Sequence, residues 1–424
     1  MTDEIKEYPK FTAEMKKTHT ILIPSMLPFH MALFEKALIQ SGYKVEIMNN
    51  EGPSVVEEGL KYVHNDTCYP ALLVIGQFID NLNHRKDLNQ IVLLITQTGG
   101  GCRASNYIHL LRKALDKKGY GFIPVVSLNA SNLEKDSGLR ITYPLLKKVA
   151  AAMTYGDQLM YLYNKTRSYV VEKEAAKTCA EQWIKKIKEQ FENNRGVSYR
   201  DLKRNLNAMA KDFDYLKLDL SHQIPKVGIV GEIYVKYAAL GNNHLEEFLV
   251  SQQAEVMVPG LYGFILYCLY NSIYDRQFYG KGLSKKIICK LLIWYLKRRE
   301  KLMIESIGKT KITPMKYFSH TKDLSEGILS HGTKMGEGWL LTAEMMELVE
   351  IGYENIVCAQ PFGCLPNHIC GKGVMKKIKS IHPNANIVAI DYDPSATKVN
   401  QENRIKLMLS IAREKIKEDE KAKL

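Results

Sequence analysis

Three of the eight cysteines stand in loops that open helix-like segments, and those loops are far apart in the chain. Cys364 lies in IVCAQPFGCLPNH (356–368), where a short apolar run ends in a Pro/Gly turn. Cys68 lies in HNDTCYP (64–70), at the head of the apolar segment 71–79. Cys102 follows Gly99-Gly100-Gly101, after a strand-like run at 91–96 and before a helix-like segment from Ala104. Free N–H groups and the positive dipole end at a helix start favour a thiolate or an anionic inorganic cluster. Glycines let the backbone approach such a bulky ligand. The expectation is that Cys68, Cys102 and Cys364 converge on one iron–sulfur cluster. With no local C-x-x-C, spacing alone allows three unrelated loop cysteines equally well. Cys268, inside the apolar run 266–269, reads as structural, and Cys179 falls in a helical region as a core or incidental residue.

Three thiolates on a cubane leave one iron without a protein ligand, able to take a substrate oxygen or water, whereas an all-cysteine cluster usually only passes electrons. Cys358 or Cys370 could complete a fourth position or join a larger cluster; Cys358 reads equally as a strand-end core residue. Zinc competes, since Cys358, Cys364, His368 and Cys370 form one local N/S group, but that set would leave Cys68 and Cys102 unused. Glu232 and Asp66 are the carboxylates nearest the turns. Each suits proton transfer or, equally, helix capping. His64 and His368 are open to the same two readings. Gly99-Gly100-Gly101 and Gly371-Lys372-Gly373 complete no phosphate-binding motif, so no ATP site is expected.

The elements that must hold these loops alternate. Apolar runs at 19–24, 44–48, 91–96 and 121–128 read as strands, with helices at 29–40, 55–63, 71–83 and 104–118 between them, the pattern of a doubly wound parallel sheet. Such sheets bind ligands at strand carboxyl ends. From about 143 to 218 long amphipathic helices replace strands, including one over 171–191. Strands return at 226–230, 254–258, 354–359 and 386–390, with helices at 243–252, 283–303, 374–381 and 395–416 and a charged tail expected to fray from Lys417. The fold class is α/β, two Rossmann-like (flavodoxin-like) parallel-sheet domains with a helical insertion: 1–142, 143–223 and 224–424.

The 424 residues are 46% hydrophobic and 25% charged, an ordinary globular composition that does not suggest a secreted disulfide scaffold. The polar start has no signal-peptide core, and the most apolar stretch, 258–274, falls short of the ~20 residues that span a bilayer and reads as buried core. A reducing cytoplasm and no membrane are expected. The net charge of +13 comes with lysines outnumbering arginines 46 to 13, which suits a solvated surface or an acidic protein partner better than nucleic acid.

HNDTCYP (64–70), GGCRASNY (100–107) and QPFGCLPNH (360–368) together resemble the 2-hydroxyacyl-CoA dehydratase superfamily, over roughly residues 18–410. The similarity is greatest to the uncharacterised domain found beside activase domains in large fused CoA-substrate-specific enzyme activase proteins, as Gly101-Cys102-Arg103 suggests. The resemblance implies Rossmann-like domains and a 4Fe-4S cluster on Cys68, Cys102 and Cys364. It also implies a separate ATP-hydrolysing iron–sulfur activase, acting in trans, that injects one low-potential electron. Related proteins hold an 8Fe-9S double cubane, and Cys370 leaves that option open here. The substrate would be a small molecule or an acyl-CoA, dehydrated or reduced under anaerobic conditions, though no residue set matches a CoA pocket. A dimer is compatible with this reading. The alternatives are a non-catalytic electron-transfer or cluster-carrier protein and a zinc-stabilised binding protein.

Overall fold

The computed structural model describes residues 7–64, 66–97, 102, 106–129, 139–280 and 282–423. The first sheet contains β1 (Thr20–Pro24), β2 (Lys44–Met48), β3 (Ile91–Gln97) and β4 (Val125–Asn129), in the order β2-β1-β3-β4. The second contains β5 (Lys226–Gly231), β6 (Glu255–Met257), β7 (Asn355–Pro361) and β8 (Asn386–Tyr392), in the order β6-β5-β7-β8. All pairings are parallel. The protein is therefore α/β, with two Rossmann-like sheets of the same strand order.

Parallel sheets need cover on both faces, and the alternation in β1 and β3 provides for it. Leu22, Leu93 and Ile95 enter the large core shared with the second sheet. Ile21, Ile23, Val92 and Leu94 point the other way, into a smaller cluster with Phe11, Tyr43 and Val126. Strand order reverses between β1 and β3, and again between β5 and β7, and ligand crevices form outside the carboxyl ends at such points. The two carboxyl edges meet each other: Leu27 N–H, just after β1, donates to the Tyr237 carbonyl beyond β5 at 3.3 Å.

The Tyr69–Asn83 helix delivers the chain to the start of β3, so its own start, with Cys68, lies at the carboxyl edge. It is packed tightly against the Pro53–Tyr62 helix. A Cβ at Gly76 would come within 2.1 Å of the Val55 carbonyl oxygen, and one at Gly59 within 2.5 Å of that of Leu72. Both glycines are there for close approach.

The helices Tyr143–Thr166, Ala175–Glu192 and Tyr199–Asp214 form the expected helical region. They also pack with the Leu261–Tyr279 and Leu283–Ile307 helices, which follow β6. Asp157 fixes that joint: its two carboxylate oxygens accept from Leu261 N–H and Tyr262 N–H, each at 2.8 Å, capping the second helix pair from the first.

Several elements differ from the sequence reading. The strand expected over 121–128 is Val125–Asn129, because the chain turns through Tyr120–Ile123 first. The apolar stretch 258–274 is less buried than expected: in its helix only Leu261, Tyr262, Leu266 and Tyr267 are buried, and Cys268 is exposed. The final helix, Lys398–Lys423, continues through the charged tail instead of fraying at Lys417. Among the described residues no helix is long and apolar enough to cross a membrane.

The Gly338–Glu350 helix carries a part-buried acidic group, Glu347, with a measurable consequence. Thr321 donates to Glu347 Oε2 at 2.9 Å. Burial, with the charges of Glu344, Glu300 and Glu350 adding, lifts the Glu347 carboxyl from 4.5 to about 7. The native state therefore holds this proton more tightly than the unfolded chain, and stability falls as pH rises from about 4.5 to about 7. Glu347→Gln is expected to gain on the order of 2 kcal/mol over the parent above that range. The gain should vanish below it. Urea unfolding of both proteins across pH checks this, and a gain independent of pH would refute it.

Candidate functional site

Cys68 is the N-cap residue of the Tyr69–Asn83 helix, and Cys364 is the N-cap residue of the Leu365–Cys370 helix. Neither makes a side-chain cap, and a proline follows in the first turn of each helix. The two loops are in direct contact. Tyr69 N–H donates to the Phe362 carbonyl at 3.0 Å, and Phe362 N–H donates to the Tyr392 carbonyl at the end of β8 at 2.8 Å. Gly363 has φ +71°, and a Cβ there would lie 3.1 Å from Cys68 Cα. Gly363→Ala is thus both strained and obstructed, and it is expected to cost about 1–3 kcal/mol. It should also push the Cys364 loop off Cys68; urea unfolding would register the loss, and an unchanged midpoint would show that the contact does not matter.

Cys102 lies beyond β3, and Asn106 holds the N-cap position of the Tyr107–Lys118 helix that follows, without a side-chain cap. Residues 98–101 and 103–105, including the three glycines, lie outside the described residues. Tyr107 ties this loop to the others: its hydroxyl is 3.2 Å from Cys68 Sγ, and it is buried. Charge on Cys102 acts on the Cys68 thiol, and charge on Cys68 acts on Cys364. Cys68, Cys102 and Cys364 are therefore electrostatic neighbours, although they come from both sheets.

A helix start by itself favours a thiolate, as the sequence reading expects. Burial outweighs the dipole: it raises the Cys68 thiol, and Glu232 and Cys102 add to the rise while Tyr107 opposes it. Burial likewise raises Cys364 far above the ordinary thiol range, with Glu337 and Glu232 adding. Any negative charge on these carboxyls opposes ionisation of the two thiols, so as free side chains both sulfurs keep their protons.

Glu232 is buried, and its carboxylate caps the Ile233–Tyr237 helix by accepting from Val235 N–H at 2.9 Å. Glu337, which the sequence reading does not single out, accepts from Ile233 N–H at 2.7 Å and is also buried. Two carboxylates thus serve one short helix beside the thiols. Burial first, and then the charge of Glu337, lifts the Glu232 carboxyl to about 8, and burial raises Glu337 as well. Glu337 lies in a loop more than a hundred residues downstream, so no local pattern marks it; Tyr107 ends the GGCRASNY motif but has an unremarkable residue type.

The other candidates lie apart from this group or at its border. Asp66 is exposed and pairs with the exposed His64 at 3.5 Å. His368 is exposed, its ring held against the buried Gln360 side chain. Cys358 is buried in β7 with Sγ 3.5 Å from Asn367 Oδ1, and burial pushes its thiol up to about 12, with Asp391 rather than the site carboxylates adding. Burial pushes Cys370 up to about 11, with the charge of Glu337 adding, an influence that Cys358 does not share. Among the described residues no three His, Cys, Asp or Glu side chains are grouped closely enough to hold a single metal ion. A cubane holds its cysteine sulfurs farther apart than a single ion does, so that spacing bears only on mononuclear centres.

No family model matches the chain, and no curated protein matches it.

Proposed function

We propose that Cys68, Cys102 and Cys364 hold an iron–sulfur cluster, most simply 4Fe-4S. In this reading the chain is the electron-receiving component of a system like the 2-hydroxyacyl-CoA dehydratases, served in trans by an ATP-hydrolysing activase. The observation that carries it is the gathering of three remote cysteine loops at the facing carboxyl edges of two sheets. The donor set fits the group: three soft thiols, two of them buried, are the ligand type that an iron–sulfur core binds as thiolates.

When bound, such a cluster would supply a low-potential electron and, with one iron lacking a protein ligand, a Lewis-acidic position for a substrate oxygen. The protein's own contributions are distinct. Tyr107 donates a hydrogen bond to the Cys68 sulfur, which draws charge from that ligand. Glu232 and Glu337 place two proton-holding carboxyl groups beside Cys364 in a region closed to water. Phe362, Leu365 and Ile369 are exposed apolar side chains flanking Cys364, a surface suited to a docking protein. Dehydration and reduction of a small molecule are both within this chemistry.

Iron, acid-labile sulfide and zinc per chain on anaerobically purified protein, with EPR of the reduced sample, test the reading. About four irons with equal sulfide fit a single cubane, and about eight bring Cys370 or Cys358 into a larger centre. A cluster signal that shifts on adding substrate favours an enzyme over a carrier. Zinc without sulfide would overturn the redox function.

A further inference from the structure

We propose that the cleft at the carboxyl edge of the first sheet binds a small monocarboxylic acid with an apolar body, the carboxylate seated at the start of the Pro28–Ile39 helix. Nothing in this inference rests on a cluster at the cysteines.

The cleft has a volume of about 420 Å³ and opens beside the turn from β1 into that helix. The helix start is unsatisfied. Its N-cap residue is Leu27, held at φ 50°, and no side chain caps it. Pro28 has no N–H, and Met31 N–H is the first to find an acceptor, the Leu27 carbonyl at 2.9 Å. The N–H groups of Phe29 and His30 have no acceptor among the described residues. Two such groups at the positive end of a helix make an anion seat.

His30 is the second, independent feature. It is completely buried and borders the cleft. Its Nε2 is 2.7 Å from Asp157 Oδ1, while Nδ1 has no partner among the described residues. The ring fits only because residue 156 is glycine; a Cβ there would come within 2.4 Å of it. Asp157 already accepts two backbone N–H groups, so its carboxylate is fixed. With Nε2 held on the fixed Asp157 carboxylate, Nδ1 is the ring atom left to share a hydrogen bond with the ligand's carboxyl group, and it completes the seat.

The remaining walls select the rest of the ligand. Met26, Phe29, Met160 and Tyr163 offer an apolar surface, with Phe29 and Tyr163 packed edge to face at 5.4 Å. Arg167 lies over the Tyr163 ring at 4.9 Å and is already paired with Glu246 at 2.6 Å. Of the other carboxylates on the rim, Glu35 faces Lys188 at 3.8 Å and Glu51 faces His244 at 3.2 Å. Glu247 is exposed there and disfavours a second negative group on the ligand.

The test is direct binding by calorimetry and ligand-observed NMR. The probes are butyrate and phenylacetate, with butyramide as the neutral control, succinate as the dianion and inorganic phosphate as the anion without an apolar body. Saturable binding of a monocarboxylate is expected, with the amide and the dianion about tenfold weaker or worse. His30→Gln keeps a hydrogen bond to Asp157 but removes the unpartnered Nδ1, and it should weaken binding about tenfold. Met160→Trp fills the cleft from a different wall and should abolish binding while circular dichroism stays unchanged. Absence of saturable binding by both monocarboxylates overturns the proposal. So does equal binding by parent and Met160→Trp, or phosphate binding more tightly than either monocarboxylate.

Discussion

Cys364→Ala protein, purified without oxygen, is expected to lose nearly all the iron and acid-labile sulfide of the proposed cluster. Cys68→Ala and Cys102→Ala should behave alike, while Cys179→Ala, on the Ala175–Glu192 helix remote in sequence from all three loops, should keep the parent content. The effect is large because cluster binding is cooperative among ligands: removing one thiolate leaves an iron exposed and the remaining ligands insufficient to hold the centre. Cys364 is the most telling position. Its loop is pinned by backbone bonds on both sides, from Tyr69 N–H and to the Tyr392 carbonyl, so the alanine variant removes a sulfur with little disturbance of the backbone. Circular dichroism should stay at the parent value. Full metal content in all three variants would falsify the shared site. Loss in Cys364→Ala alone would return the centre to a local group around Cys358, His368 and Cys370.

Lys236→Met should destabilise the fold more than Gly363→Ala or any of the cysteine variants. Lys236 Nζ lies 3.1 Å from both Glu344 oxygens, and the two side chains are 1% and 3% exposed. Removing the lysine leaves a carboxylate without its cation in a region closed to water, a loss of about 3–5 kcal/mol. Replacing both partners removes the stranded charge, so Lys236→Met combined with Glu344→Leu should recover most of that loss. The pair also holds the Ile233–Tyr237 helix, whose first turn is capped by Glu232 and Glu337, so the single variant should also weaken retention of the proposed cluster. Equal unfolding midpoints in urea for the single variant and the parent would show that the pair contributes nothing.

The fold is legible wherever local pattern and tertiary role coincide. β2 falls where its alternating KVEIM predicts, and β1, β3, β5 and β8 differ by a residue or two at their ends. Apart from the edge strand β2, these are largely buried parallel strands, so their aliphatic runs are easily read. Boundaries slip where a turn lies inside an apolar run, as at Tyr120–Ile123 before β4, and where a tertiary contact extends an element, as at the start of the Tyr69–Asn83 helix. The helix pair after β6 reads from the sequence as part of the second sheet's unit, yet it packs with the earlier helices through Asp157, a link no linear pattern records. At the site, the three cysteines are readable because cysteine in a Pro/Gly turn is an uncommon combination. Glu232 is readable from its place at the end of β5. Glu337 is not, since it meets Glu232 only through folding. The charge state of the thiols also escapes a linear reading, because burial cannot be read from a loop sequence.

The repeated strand order of the two sheets bears on how the protein is made. Synthesis completes the first sheet, with Cys68 and Cys102, before any strand of the second exists. The third cysteine depends on β7 pairing with β5, and its loop is tied down only by the end of β8. Contacts of such high sequence separation form late, because the chain must first close a long loop. Iron and sulfide offered to the growing chain would therefore meet two of the three thiols. The complete set is a property of the finished molecule, and loading of the proposed cluster should follow docking of the two sheets rather than guide it.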